Sequence, residues 1–140
     1  MKKKPSSIES RILREFRNIA VVGLSANSKR SSYRVASYLA EQGYNIIPVN
    51  PNTQEVLDKT SYPDLGSIPE KVDVVEIFRR PEDVVPVVEE AIKIGAKAVW
   101  MQEGIVNEEA AARARGAGLL VVMDKCMLKE HRRLIQEQNN

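Results

Sequence analysis

The sequence predicts an α/β fold: a doubly wound, mainly parallel sheet with helices on both faces, in a single domain. Three observations carry this. Short apolar runs alternate with amphipathic stretches along the chain. The runs are continuously apolar, as strands buried on both faces of a parallel sheet require. Glycine follows the amphipathic stretches, at Gly43, at Gly95, and at Gly116 or Gly118, where a left-handed helix cap belongs. Right-handed crossovers then make the sheet doubly wound.

The elements follow in order. Ser6-Ser7-Ile8-Glu9 fits a capping box with Ser6 as N-cap and Glu9 reaching back. Ile8, Ile12 and Phe16 continue at helical spacing. Asn18-Ile19-Ala20-Val21-Val22 is the first strand, ended by Gly23. Residues 33–42 read as a helix, with Val35/Leu39 and Ala36/Ala40 four apart. Asn45-Ile46-Ile47-Pro48-Val49 is the second strand; Pro48 has no N–H to donate, so the strand ends or meets a sheet edge there. Residues 50–71, rich in Pro, Gly, Ser and Asp, form a loop with at most one short strand or turn. Residues 73–78 are a strand. A helix covers about 82–94, its regular part beginning near Asp83 because Pro86 is tolerated only in a first turn. Residues 97–101 form another strand. Asn107 caps a helix whose first turn carries Glu108 and Glu109, matching the helix dipole. Residues 119–122 make the last strand and 127–138 the last helix.

Composition sets limits on function. With 140 residues, 43% hydrophobic and 29% charged, the chain suits one globular domain. Folding at this size buries about 68% of the unfolded surface. No apolar stretch approaches the roughly 20 residues of a membrane span. Met1-Lys2-Lys3-Lys4 resembles the start of a signal peptide, but a polar stretch follows it, and residues 1–7 read as a flexible tail. The single cysteine, Cys126, excludes an internal disulfide and a multi-thiolate zinc site. A reducing, cytoplasmic setting is expected. The net charge of +2 owes three positive charges to the tail lysines, leaving 18 basic against 19 acidic residues. That balance argues against nucleic acid as a partner.

Doubly wound sheets bind ligands beyond the carboxyl ends of their strands. Four segments lie there. The first, residues 23–32, follows a strand and opens a helix, the context of a phosphate site. Gly23 permits a tight turn; Ser25, Asn27 and Ser28 offer donors; Lys29 and Arg30 add positive charge. Neither the three-glycine dinucleotide fingerprint nor the Walker pattern is present, and an ordinary polar turn fits the same residues. Asn50-Pro51 ends the second strand, where an NAD-binding domain carries an acid. Phe78-Arg79-Arg80 ends the third long strand; an Arg fork suits phosphate and Phe covers a base, although a solvated charged pair is the commoner fate of Arg-Arg. Met101-Gln102-Glu103-Gly104 ends the fourth, with Met101 as an apolar wall and Gln102 and Glu103 as polar contacts. Cys126, beside Lys125 at a helix start, is either an inert packed thiol or a reactive one. His131, the lone histidine, reads as a packing residue on the apolar side of the last helix.

Taken together, these segments resemble the small single-domain CoA-binding proteins. The resemblance rests on Val22-Gly23-Leu24-Ser25, on residues 30–33, and on residues 43–51. It continues through residues 75–79, residues 95–104 and Asp124-Lys125-Cys126. It spans about residues 8–134, and the same Rossmann-like domain opens the alpha subunit of succinyl-CoA synthetase. The resemblance implies coenzyme A, free or as an acyl-CoA, as the ligand. It implies that Ser25, Ala26, Asn27 and Ser28 hold the phosphates and that Asn50 and Pro51 flank the adenosine. Phe78 and Arg79 form a third contact segment, and Met101, Gln102 and Glu103 a fourth. Gly23 and Arg30 join the same site. Ser31 departs from the pattern, standing where these proteins often have proline. The synthetase's phosphohistidine belongs to a second domain, so His131 does not inherit its role, and the resemblance implies binding without catalytic machinery or metal. Two other readings fit the fold: an NAD(P)-binding protein, as an oxidoreductase or redox sensor, and an interaction subunit that kept the fold and lost the ligand.

Overall fold

In the computed structural model, residues 7–139 are described. Helix α1 (Ile8–Glu15) is capped by Ser7, whose Oγ accepts the Ser10 N–H at 3.1 Å. The expected cap, Ser6, lies outside the described residues, and the cap is one position later. Glu9 serves another end: its carboxylate pairs with Lys125 at 3.3 Å, tying α1 to the start of the last helix.

Strand β1 (Asn18–Val22) is followed by α2 (Ser31–Glu41), β2 (Asn45–Val49), a two-residue pair β3 (Glu55–Val56) and β4 (Lys59–Thr60), and β5 (Val74–Ile77). Then come α3 (Val84–Lys93), β6 (Ala98–Met101), α4 (Glu108–Gly116), β7 (Leu120–Val122) and α5 (Met127–Gln138). The expected loop at 50–71 therefore holds a small antiparallel hairpin, turned by Leu57 and Asp58 at φ 55° and 60°. Helix α2 starts two residues earlier than its apolar periodicity suggests, because Ser31 and Ser32 make its first turn. A 3₁₀ turn at Pro81–Asp83 leads into α3, and Pro86 falls in the first turn of the regular helix, where its missing N–H costs nothing.

Five strands form one parallel sheet in the order β2-β1-β5-β6-β7. The order reverses between β1 and β5, which makes that junction the switch point of a Rossmann-like sheet. Pro48 sits on the outermost strand. Its carbonyl accepts the Tyr62 N–H at 3.0 Å on the outer side, so its absent N–H also faces outward and costs no bond to β1.

Each side of the sheet carries its own core. Val22, Ile47, Val75, Ile77 and Val99 pack against Val84, Val88, Ala111 and Ala114 of α3 and α4. Ile19, Val21, Ile46, Trp100 and Val122 pack against Ile12, Leu13, Val35, Leu39, Met127 and Leu134 of α1, α2 and α5. Arg113 of α4 bonds Glu89 of α3, joining those helices at the surface. In the opposite layer, α2 and α5 are joined by the Tyr38 hydroxyl and His131 Nδ1, hydrogen-bonded at 2.8 Å. His131 stands edge-on to both Tyr38 and Tyr44, and burial with the nearby Arg17 charge lowers its pKa. It is a packing residue, as its place on the apolar side of the helix implies.

Candidate functional site at the carboxyl ends of the strands

The switch point is built around one close approach. Gly23 leaves β1 at φ +89°, and its N–H donates to the Val49 carbonyl at 2.9 Å. A Cβ placed on Gly23 would lie 2.2 Å from the Phe78 carbonyl oxygen. The space that glycine leaves is thus taken by the end of β5, and this residue holds three strand ends together.

Beyond Gly23 the loop bonds to itself. The Asn27 N–H donates to Ser25 Oγ at 3.0 Å, and the Lys29 N–H to Asn27 Oδ1 at 2.9 Å. The Ser25 N–H donates to Ser32 Oγ at 3.1 Å, pinning the loop to the first turn of α2. Ser32 is buried, whereas Ala26, Asn27, Ser28, Lys29 and Arg30 are exposed. Arg30 occupies the N-cap position of α2 but makes no side-chain cap bond, and the first turn holds no acid. The helix therefore presents uncapped N–H groups beside two cations. Among the described residues, neither Lys29 nor Arg30 enters an ion pair.

Asn50 braces this loop from β2. Its Nδ2 donates to the Leu24 carbonyl at 2.9 Å, and its Oδ1 accepts the Asn52 N–H at 2.8 Å. Pro51 is exposed next to it. On the other flank, Phe78 and Arg79 leave β5 half-buried. The two arginines there have different fates. Arg80 is bonded to Asp83 at 3.0 Å and lies 3.5 Å from Glu82, whereas Arg79 has no ion-pair partner among the described residues.

The end of β6 is different. Met101 is fully buried in the core beneath α3 and α4. Gln102 is 6% exposed, and its Oε1 accepts the Met127 N–H at 3.4 Å, capping α5. Glu103 bonds Lys129 through both oxygens at 2.8 Å. Asp124, at φ 60°, accepts the Gly104 N–H at 2.7 Å and closes the turn. The backbone is engaged as well, the Gln102 N–H with the Ile77 carbonyl and the Met101 carbonyl with the Lys125 N–H, so Met101, expected as an apolar wall for a ligand, is instead part of the core because α3 and α4 cover it.

A groove of about 290 Å³ runs along the outer edge of β2, lined by Asn45, Pro48, Lys59, Tyr62 and Glu70 among others. It contains none of the strand-end residues above, and its charged lining is Asp58, Lys59 and Glu70. No group of three or more potential metal ligands occurs among the described residues, and no helix there is long and apolar enough to cross a membrane.

Comparison with known proteins places this arrangement. The sequence pattern of the CoA binding domain matches residues 17–132, which includes every segment just described. The chain belongs to the CoA-binding domain family. It is 40% identical over 128 residues to the uncharacterized protein YneT of Bacillus subtilis, covering 91% of this chain and 95% of that one. It superposes on a hypothetical protein from Pyrococcus horikoshii with a TM-score of 0.88 at 40% identity, over 96% of this chain and 99% of the other. It is also 32% identical over 96 residues, 66% of this chain, to acetate–CoA ligase [ADP-forming] II of Archaeoglobus fulgidus, of which those residues are 14%.

Within the CoA-binding domain, the structure brings together Gly23, Ser25–Ser28, Arg30, Asn50, Pro51, Phe78 and Arg79 around the β1–β5 junction. Met101, Gln102 and Glu103 sit one strand further along. Ser32 is a contributor that sequence reading passed over. A serine two residues after a basic pair, at the start of a helix, was the available signal.

Proposed function

We propose that this CoA-binding domain holds coenzyme A, or an acyl-CoA, across the carboxyl ends of β1, β2 and β5 in a cytoplasmic setting, without catalytic groups of its own. The observation that supports this best is the uncapped α2 N-terminus with Lys29 and Arg30 beside it and Arg79 unpaired across the junction. Coenzyme A carries a pyrophosphate and a 3′-phosphate, and such a cluster of N–H groups and cations is complementary to them. The loop at residues 25–28 then holds the pyrophosphate, Asn50 and Pro51 flank the adenosine, and Phe78 offers an apolar surface to the base. At the end of β6 the Met101 side chain lies in the core and Gln102 caps α5, so neither is a ligand contact in this reading, and Glu103 borders the site.

The NAD(P) reading has less support. No acid ends β2, and both polar atoms of Asn50 are engaged within the protein. Calorimetric titration with coenzyme A, dephospho-CoA and NADH tests the proposal. Coenzyme A is expected to bind, dephospho-CoA more weakly, and NADH not at all. Binding of NADH without binding of coenzyme A overturns it.

A further inference from the structure

Glu76 is anomalous in this fold. It lies in β5, the central strand, between Val21 of β1 and Trp100 of β6. Val75 and Ile77 face α3 and α4, so Glu76 shares the opposite face with Val74, beneath α1, α2 and α5. It is 0% exposed, and neither carboxyl oxygen has a hydrogen-bond partner among the described residues. Burying such a group as a charge is far more costly than burying it as a neutral acid.

The surroundings supply no compensating charge. The residues packed in this layer are Ile12 and Leu13 from α1, Val35, Ala36 and Leu39 from α2, and Met127 and Leu134 from α5. Its buried titratable groups are engaged elsewhere: His131 with Tyr38, and the Tyr44 hydroxyl with the Leu13 carbonyl at 2.6 Å. Tyr33, Tyr38 and Cys126 are half-buried, Glu9 pairs with Lys125 and half-buried Glu130 with Arg133, and Arg11, Arg14, Glu15, Arg17, Arg34, Glu41, Lys129, Arg132, Arg133 and Glu137 are exposed. Burial is the cause that raises the Glu76 pKa to about 8.

The position of the residue links this acid to the ligand site. Two residues after Glu76, the Phe78 carbonyl fills the space beside Gly23, and Arg79 follows it. Ionised Glu76 has no donor within the fold, so its charge is relieved only if the end of β5 parts from its neighbours and admits water. We propose that Glu76 is a proton-linked positioning residue: neutral, it keeps the strand-end site assembled, and ionised, it opens that site. The role in ligand binding rests on the coenzyme A reading above.

The sign follows from linkage. Between the ordinary carboxyl value of 4.5 and about 8, folded protein holds a proton on Glu76 that unfolded protein has lost. Stability therefore falls as pH rises through that window, by about tenfold in the folding constant per pH unit, and levels off above it. If coenzyme A binds only the closed form, its affinity falls above about pH 8 by roughly tenfold per unit, and the bound ligand in turn raises the Glu76 pKa.

The test compares the parent protein with Glu76→Gln, which keeps the shape and cannot ionise. Urea denaturation and coenzyme A titration are each run from pH 5 to about 9.5. Taking the ratio of the two proteins cancels His131 and the ligand's own ionisations. The stability ratio is expected to change through the lower window and the affinity ratio above it. Coincident stability profiles overturn the neutral buried acid, and diverging stability with a constant affinity ratio overturns the positioning role. A parent that binds no coenzyme A at any pH overturns the coenzyme A reading and the positioning role with it, while the stability arm still reports the proton. If Glu76→Gln does not fold, infrared spectroscopy of the parent decides: a protonated carboxylic acid band is expected at neutral pH and is lost in alkali. Its absence at neutral pH overturns the proposal.

Discussion

The loop after β1 and the segment after β6 both leave a buried strand with polar residues, Ser25, Asn27 and Ser28 in one and Gln102 and Glu103 in the other. In the first, the bonds are local and use backbone N–H groups with short side chains, so the outer surface and the start of α2 stay open. In the second, α5 follows the neighbouring strand closely enough to engage both side chains, Gln102 through the Met127 N–H and Glu103 through Lys129. The difference is one of supply. A helix start satisfied by a side chain is closed to a ligand, and one left without a cap is open to an anion. The proposed site therefore centres on β1, β2 and β5, with β6 at its margin.

The comparison can be broken most forcefully at Gly23. Gly23→Val adds a Cβ against the Phe78 carbonyl at a positive φ. Stability is expected to fall by ~3 kcal/mol or more, read by chemical denaturation. A folded variant of near-parental stability would show that the three strand ends do not depend on this contact.

Arg79→Gln sharpens the comparison on the open side. It is expected to weaken coenzyme A binding by about 1.5–3 kcal/mol, roughly 10- to 150-fold in Kd, with stability little changed. Arg80→Gln is the control, since that guanidinium already serves Asp83 and Glu82. Equal losses from the two variants would remove the distinction between them. Coenzyme A affinity of the parent should also fall with added salt as exposed charges are screened.

On the closed side the expected effects are smaller and move a different observable. Gln102→Leu removes the acceptor for the Met127 N–H and should cost about 1 kcal/mol of stability, with coenzyme A affinity unchanged. Glu103→Gln removes one end of an exposed ion pair, and neither thermal midpoint nor affinity should move measurably. A large affinity loss from either would bring β6 to the centre of the site.

Much of the fold was legible because parallel strands buried on both faces must be continuously apolar. Residues 18–22, 45–49 and 127–138 emerge with the bounds read from sequence, β6 and β7 begin one residue later, and β5 is one residue shorter at each end. The two-residue hairpin at Glu55 and Lys59 was not legible. Elements that short have no periodicity, and here turn residues in left-handed conformations hold the shape. The candidate site was legible as four segments and not as a geometry. Sequence placed Arg79 and Arg80 on equal terms, and only the fold brought Asp83 to one of them.

By itself the sequence determined the element order and the doubly wound class, and pointed to the strand ends as the place of the candidate site, because hydrophobic periodicity and chain punctuation are local properties. Tertiary structure decided which polar groups remain free, since that depends on partners distant in the chain, such as Lys129 for Glu103. It decided, too, that Glu76, an acid in an apolar run, falls at the centre of the sheet without a partner. Burial is a sum over neighbours from separate elements, and no stretch of sequence contains that sum.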